Sequence, residues 1–181
     1  ILRLIAIRDV AVVIGYTVVF ANMAVKNRKR EITALELVWD EIACAKDANG
    51  VRPNFLTVPE EIKWEGADVF PHDGKRIFIG IGLERTDRRI VDFFKKHFEP
   101  KGWTIEVIEI NTSTPATHMD MVFKALGKDI AVIYPPAIEN MDLINGYFSR
   151  LIILTEEEFE HGGANIFCLN DHAVMVADDP S

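Results

Sequence analysis

The stretch Trp64-Glu65-Gly66-Ala67-Asp68-Val69-Phe70-Pro71-His72-Asp73-Gly74-Lys75-Arg76-Ile77-Phe78-Ile79-Gly80-Ile81 decides the fold. Two apolar runs, Ala67–Pro71 and Arg76–Ile81, flank the turn His72-Asp73-Gly74, which predicts two short strands joined as a hairpin. The period then changes. Ile90, Val91, Phe94 and Phe98 recur at helical spacing and predict a helix from about Asp87 to Phe98. Thr104–Ile110 reads as a third strand. The unit is strand, strand, helix, strand.

The same order appears on either side of this stretch. Upstream, Val10–Ile14 and Thr17–Ala21 flank Gly15-Tyr16, a helix is predicted over Glu31–Lys46, and Asn54–Val58 reads as a strand. Downstream, Asp120–Ala125 and Ile130–Tyr134 flank Leu126-Gly127-Lys128-Asp129. A short helix near Ala137–Phe148 and the strand Leu151–Leu154 follow. A fourth round begins with Asn165–Leu169, the turn Asn170-Asp171-His172, and Ala173–Val176. The chain therefore reads as about three ββαβ rounds and the front of another, each of roughly 45–55 residues. Because a polar tight turn recurs at the same place in each round, a repeat is preferred over an ordinary α/β mixture. No Pro/Ser-rich linker divides the chain, so residues 1–181 read as a single α/β domain. Its first residue is Ile and its last residues read as the start of another element, so the expectation is a domain cut at both ends.

The bulk composition excludes several classes. The chain has 181 residues, about half of them apolar, and a formal charge of −8. Such a chain can bury a core, and its acidity disfavours nucleic acid, whose non-specific binding needs clustered Lys and Arg. The longest uncharged run, Val10–Val25, is short for a membrane span and is broken by Gly15, Tyr16, Thr17 and Asn22. No signal peptide is visible, and Cys44 and Cys168 are too few for a disulfide framework, so a cytoplasmic setting is expected. The five histidines show no metal-ligand spacing, and no metal or cofactor is expected.

Polar residues gather at equivalent places in the rounds: Arg8-Asp9, Arg28-Lys29-Arg30-Glu31, Glu65-Gly66-Ala67-Asp68, Glu84-Arg85-Thr86 and His118-Met119-Asp120. Taken singly, each reads most simply as a strand-end ion pair, a solvated loop or a helix cap. In a closed ring of repeats, however, equivalent ends would face one axial pocket. Carboxylates in bidentate reach suit a planar, permanently cationic guanidinium, with Asp9, Glu65, Asp68 and Asp120 as candidates. Attack on its carbon needs a nucleophile and a proton-transfer group. On a strand, His118 and Asp120 would point the same way, so Asp120 could orient the imidazole or bind a ligand beside it.

These residues resemble the guanidino-group-modifying enzymes, the superfamily of arginine deiminases, agmatine deiminases, dimethylarginine hydrolases and amidinotransferases. Ile7-Arg8-Asp9 resembles its Phe-Thr-Arg-Asp strand, and Arg28-Lys29-Arg30-Glu31 its Arg-Arg-x-Glu segment. Glu65-Gly66-Ala67-Asp68-Val69 is similar to Glu-Gly-Gly-Asp-Val, with Ala67 at the second Gly. Gly80-Ile81-Gly82-Leu83-Glu84-Arg85-Thr86 resembles Gly-x-x-Glu-Arg-Thr. His118-Met119-Asp120-Met121-Val122-Phe123 is similar to the arginine deiminase His-Leu-Asp-x-Val-Phe, and Gly163-Ala164-Asn165-Ile166 to a later Gly-x-Asn-Val.

The resemblance implies a five-bladed α/β propeller, the pentein fold, of which this chain would be an incomplete ring. It implies that Asp9 and Asp120 clamp the guanidinium while Glu65 and His118 act as acid–base groups. Asp68 would bind substrate too, and Arg28 or Arg30, with Arg85, would bind the substrate carboxylate or shape the site. The family's attacking Cys sits in a Gly-Gly-x-x-Cys strand, one helix and one strand later than Cys168. Cys168 follows Gly162-Gly163 at a different spacing, so it and Cys44 read as structural, and the nucleophile is expected beyond Ser181.

His-x-Asp disfavours the dimethylarginine hydrolases and leaves arginine deiminase-like hydrolysis or amidino transfer to an amine. A non-catalytic binding protein on the same fold is the other class, as in a ribosomal-subunit anti-association factor. The retained Asp9, Glu65, His118 and Asp120 disfavour it. The expected partner is a small arginine-like guanidino compound, and exposed sheet edges would invite association between copies of the chain.

Overall fold

The computed structural model of the chain describes residues 7–44, 50–170 and 173–175. A short helix, α1 (Ile7–Val10), leads into the hairpin of β1 (Ala11–Ile14) and β2 (Thr17–Phe20). Helix α2 (Lys29–Cys44) then carries the chain to β3 (Asn54–Leu56), which lies parallel to β2. The second module repeats this plan. Strands β4 (Val69–His72) and β5 (Arg76–Ile81) pair antiparallel, α3 (Arg89–Phe98) crosses over, and β6 (Thr104–Glu109) returns parallel to β5. In the third, β7 (Phe123–Ala125), β8 (Ile130–Ile133), α4 (Met141–Tyr147) and β9 (Arg150–Ile153) follow in the same order. Helix α5 (Glu156–Glu160) then precedes a last antiparallel pair, β10 (Phe167–Asn170) and β11 (Ala173–Met175).

Each three-stranded sheet has its strands in sequence order, the first pair antiparallel and the second parallel. The chemistry of the connections explains this. Two strands joined by two residues must run antiparallel, and Gly15 takes the left-handed conformation that the first turn requires, with φ of 57°. A parallel return needs a crossover, which the helix provides.

Strand β5 ties neighbouring modules together. Its alternate side chains enter different cores, so nearly the whole strand is buried. Ile77, Ile79 and Ile81 pack with Val12, Ile14, Trp64, Phe94 and Phe98. Phe78 points the other way, into Phe123, Ile133, Ile144 and Phe148. A period of two in a doubly buried strand thus joins the second module to both its neighbours.

The observed elements depart from the sequence reading where polar residues cluster. Val10 closes a helical turn, with no strand at Arg8-Asp9, and its carbonyl accepts from Ala21 N–H at 2.9 Å. Tight 3-10 turns occupy Gly66–Asp68 and Met119–Met121, where strands were expected. The reason is local. A strand would alternate these side chains to opposite faces, whereas a tight turn lets short polar side chains and backbone N–H groups meet. The predicted helix at Ala137–Phe148 divides into a 3-10 turn, Pro135–Ala137, and α4, because Pro135-Pro136 can only open a helix. Helix α5 was missed, although Thr155-x-x-Glu158 forms a capping box at its start. The predicted ends at Lys46, Asp171-His172 and Val176 fall outside the described residues. Among the described residues, no helix is long and apolar enough to cross a membrane.

Candidate active site

The turns that precede the first strand of each module converge. Helix α1 packs on the Gly66–Asp68 turn, which packs on the Met119–Met121 turn. Gly66 permits the first approach: a Cβ at this position would lie 2.2 Å from the Arg8 carbonyl oxygen. The close crossing brings Asp9, Glu65 and His118 from three modules together, with ligand atoms within 4.8 Å of one another, all three buried.

Glu65 is the centre of this cluster, with no exposed side-chain surface. Its Oε2 lies 2.8 Å from His118 Nε2 and 3.3 Å from Arg28 Nη1. Its Oε1 accepts from Ala24 N–H at 3.1 Å and lies 3.5 Å from Arg85 Nη1. Burial alone would push the Glu65 carboxyl up, but the His118 hydrogen bond and the charges of His118 and Arg85 reverse this and hold it low. Burial likewise works against an imidazolium at His118, yet the Glu65 hydrogen bond and the charges of Asp68, Asp9 and Glu65 raise it. Each member of the pair thus favours the charged form of the other.

Arg28 bridges the carboxylates. Its guanidinium donates to Asp9 Oδ2 at 2.7 Å and to Glu31 Oε2 at 2.9 Å. Arg30, the alternative candidate, is exposed on α2 and lies outside the cluster. Arg85 touches Glu65 and lines a cavity of about 420 Å³ with Gly82, Leu83, Glu84, Thr112 and Thr117. That volume is in the range of small-molecule sites. Thr117 Oγ1 lies 3.3 Å from His118 Nδ1, so the cavity adjoins the imidazole.

Two carboxylates sit differently from the sequence reading. Asp68 is fully buried and engaged, accepting from Thr86 Oγ1 at 2.5 Å and from Met119 N–H at 2.7 Å. Thr86 in turn accepts from Glu65 N–H at 3.2 Å, so it is a site residue, one that its place in the Glu84-Arg85-Thr86 cluster marked without giving it a role. Asp120 does not orient His118. The turn at Met119–Met121 breaks the two-residue alternation, Glu65 takes the imidazole, and Asp120 pairs with Arg8 at 2.8 Å. Arg8 and Asn165, which bond each other at 3.2 Å, are further partners that the sequence reading left unassigned. Their signal was present: each sits just before a first strand, as Asp9 and His118 do.

Burial pushes the Asp68 carboxyl up to about 6, against the opposing charge of His118 and the bonds from Thr86 and Met119. The sign of the linkage follows. A carboxyl raised on folding stabilises the fold most below its unfolded value near 4, and that contribution is lost as pH rises through about 6. Asp68→Asn is expected to flatten the fall in stability between pH 4 and 7 by about 2–3 kcal/mol. Urea unfolding at several pH values checks this, and an unchanged pH slope would contradict it.

The ββαβ repeat with a buried Glu65–His118 pair at the module ends defines the chain as a modular α/β protein with a candidate active site between its modules. The arginine deiminase family model matches residues 4–176, and the chain belongs to that family. Among solved structures it is similar to the product-bound N-terminal domain of ArgZ, an arginine dihydrolase from the ornithine–ammonia cycle in Cyanobacteria. Identity there is 20%, the TM-score is 0.75, and the match covers 91% of this chain and 57% of that one. It is also similar to SxtG, an amidinotransferase from Microseira wollei in the saxitoxin biosynthetic pathway, at 18% identity and a TM-score of 0.74, over 92% of this chain and 56% of that one. AgrE in complex with ornithine and NAD+ matches at 19% identity and a TM-score of 0.74, over 92% of this chain and 23% of that one. The chain thus spans little more than half the length of the ArgZ domain and of SxtG.

Proposed function

We propose that the protein containing this chain hydrolyses the guanidino C–N bond of arginine or a close relative, and that these 181 residues supply the binding and proton-transfer groups. The observation that carries this reading is the buried Glu65–His118 pair, 2.8 Å apart, beside Asp9 and two arginines. In this scheme Asp9 and Asp120 clamp the guanidinium, with Asp68 behind them. Arg85 on the cavity wall, aided by Arg28, receives the substrate carboxylate. The modules would be blades of a propeller.

The attacking thiolate comes from outside these residues. Cys168 faces a separate cavity of about 220 Å³ lined by Phe70, His72, Ala125 and Lys128, and its Sγ donates to the Ala125 carbonyl at 3.6 Å. Cys44 lies at the end of α2. The thiolate adds to the guanidinium carbon, the C–N bond to a terminal nitrogen breaks, and His118 gives its proton to the departing ammonia. Water then adds to the Cys-linked amidino carbon while His118 takes its proton. The C–S bond breaks as the hydroxyl proton of the adduct passes to solvent, leaving citrulline and a free thiolate. If instead the C–N bond to the substituted nitrogen breaks in the first step, the donor leaves as a primary amine with the proton from His118, and an acceptor amine in place of water then takes the amidino unit from the thiolate. The likeness to an amidinotransferase supports that alternative, as the likeness to an arginine dihydrolase supports hydrolysis.

The test is to incubate the full-length protein with arginine, agmatine and methylated arginines and to assay citrulline, ammonia and amidino-acceptor products. Citrulline with stoichiometric ammonia supports hydrolysis, and product formed only with an added amine supports transfer. No product from any guanidine overturns both. The 181-residue chain alone is expected to show no turnover.

A further inference from the structure

Asp120 meets a guanidinium before any ligand arrives. Arg8 Nη1 lies 2.8 Å from Asp120 Oδ2, and Arg8 Nη2 donates to Asn165 Oδ1 at 3.2 Å. The three residues come from three different modules: α1, the turn before β7, and the turn before β10. Among the described residues, no donor reaches Asp120 Oδ1. Arg8 is held from behind as well, because its own carbonyl sits against Gly66.

We propose that Arg8, braced by Asn165, is a positioning residue that fixes Asp120 with Oδ2 engaged and Oδ1 presented to a guanidinium ligand. A carboxylate that is free to rotate spends part of its time misdirected, and one oxygen pinned by a charged hydrogen bond sets the direction of the other. The arrangement also makes the fourth module part of the site through Asn165, which does not itself touch the clamp. This inference rests on the reading of Asp120 as a guanidinium ligand, but the position of Arg8 can be tested apart from it.

The charges facing Asp120 are Arg8 and Asp9 from α1, His118 from its own turn, Asp68 from the turn before β4, and Lys124 from β7. Burial pushes the Asp120 carboxyl up, and Arg8 is the largest influence opposing this. Lys124 is a weaker counter-charge. Its amine lies 4.3 Å over the Phe70 ring and is lowered to about 8 by burial and by Arg8.

The experiment follows the Asp120 carboxyl by ¹³C NMR through a pH titration of the chain, with the signal assigned by its loss in Asp120→Asn. In Arg8→Ala the carboxyl is expected to titrate at higher pH than in the wild type, and in Arg8→Lys to lie between them. Calorimetry with L-arginine is expected to show affinity weakened about tenfold or more in Arg8→Ala, the scale of one hydrogen bond to a charged group. Asn165→Ala should give a smaller loss in the same direction. It also keeps the test open if Arg8→Ala does not fold. An unchanged titration in Arg8→Ala overturns the proposal, as does tighter arginine binding, which would make Arg8 a competitor for Asp120. If the wild type binds no arginine while the titration shifts as expected, the guanidino reading fails and the positioning role stands.

Discussion

His118→Ala is expected to reduce arginine turnover by the full-length protein by a factor on the order of 10²–10⁴, with the fold intact. In the proposed mechanism His118 gives a proton to the departing nitrogen and takes one from water. Its ring is fixed by Glu65 at 2.8 Å on one side and by Thr117 at 3.3 Å on the other. Glu65→Gln separates proton chemistry from shape, because it retains the size of the side chain and removes its charge. Glu65 raises the His118 pKa through its hydrogen bond and charge, so in Glu65→Gln the imidazole should lose its proton at lower pH. The alkaline limb of kcat/KM should move down with it. Turnover in His118→Ala within a few-fold of the wild type would remove His118 from the mechanism. An unmoved alkaline limb in Glu65→Gln would break the pairing.

Phe78→Ala is expected to destabilise the fold by about 3–5 kcal/mol. Phe78 is completely buried at the centre of an aromatic cluster. Its ring centroid lies 5.4 Å from Phe123, 5.7 Å from Tyr147 and 5.8 Å from Phe148. These partners belong to the third module, so the ring is a main apolar tie between it and the second. Its removal leaves a cavity that rigid strands cannot close. Chemical unfolding with an unchanged m-value would measure the loss. A cost below about 1 kcal/mol would show that the modules are held together elsewhere.

Much of this was legible along the chain, and the reasons are local. Ile90, Val91, Phe94 and Phe98 mark the inner face of α3 because a helix repeats every 3.6 residues, and all four are buried. Gly74 and Gly127 mark hairpin turns because both take positive φ there. The repeated order of two strands, a helix and a strand could be read for the same reason: each element carries its own period. Less legible were the polar stretches before the strands. The spacing of His118 and Asp120 read as one strand face, yet a 3-10 turn separates their partners. Nothing local distinguishes Arg28, which bridges Asp9 and Glu31, from exposed Arg30 two residues later.

The amino-acid sequence by itself determined the ββαβ modules, their turns, their apolar faces and the family to which the chain belongs, because each of these is written in neighbouring residues. Only the tertiary structure decided which charges meet. Glu65 takes His118, Asp68 takes Thr86 and the Met119 N–H, and Asp120 takes Arg8. Those pairings span 18 to 112 positions in the chain. They depend on how three modules pack, and burial makes each carboxylate take a partner when no water is there to serve as one.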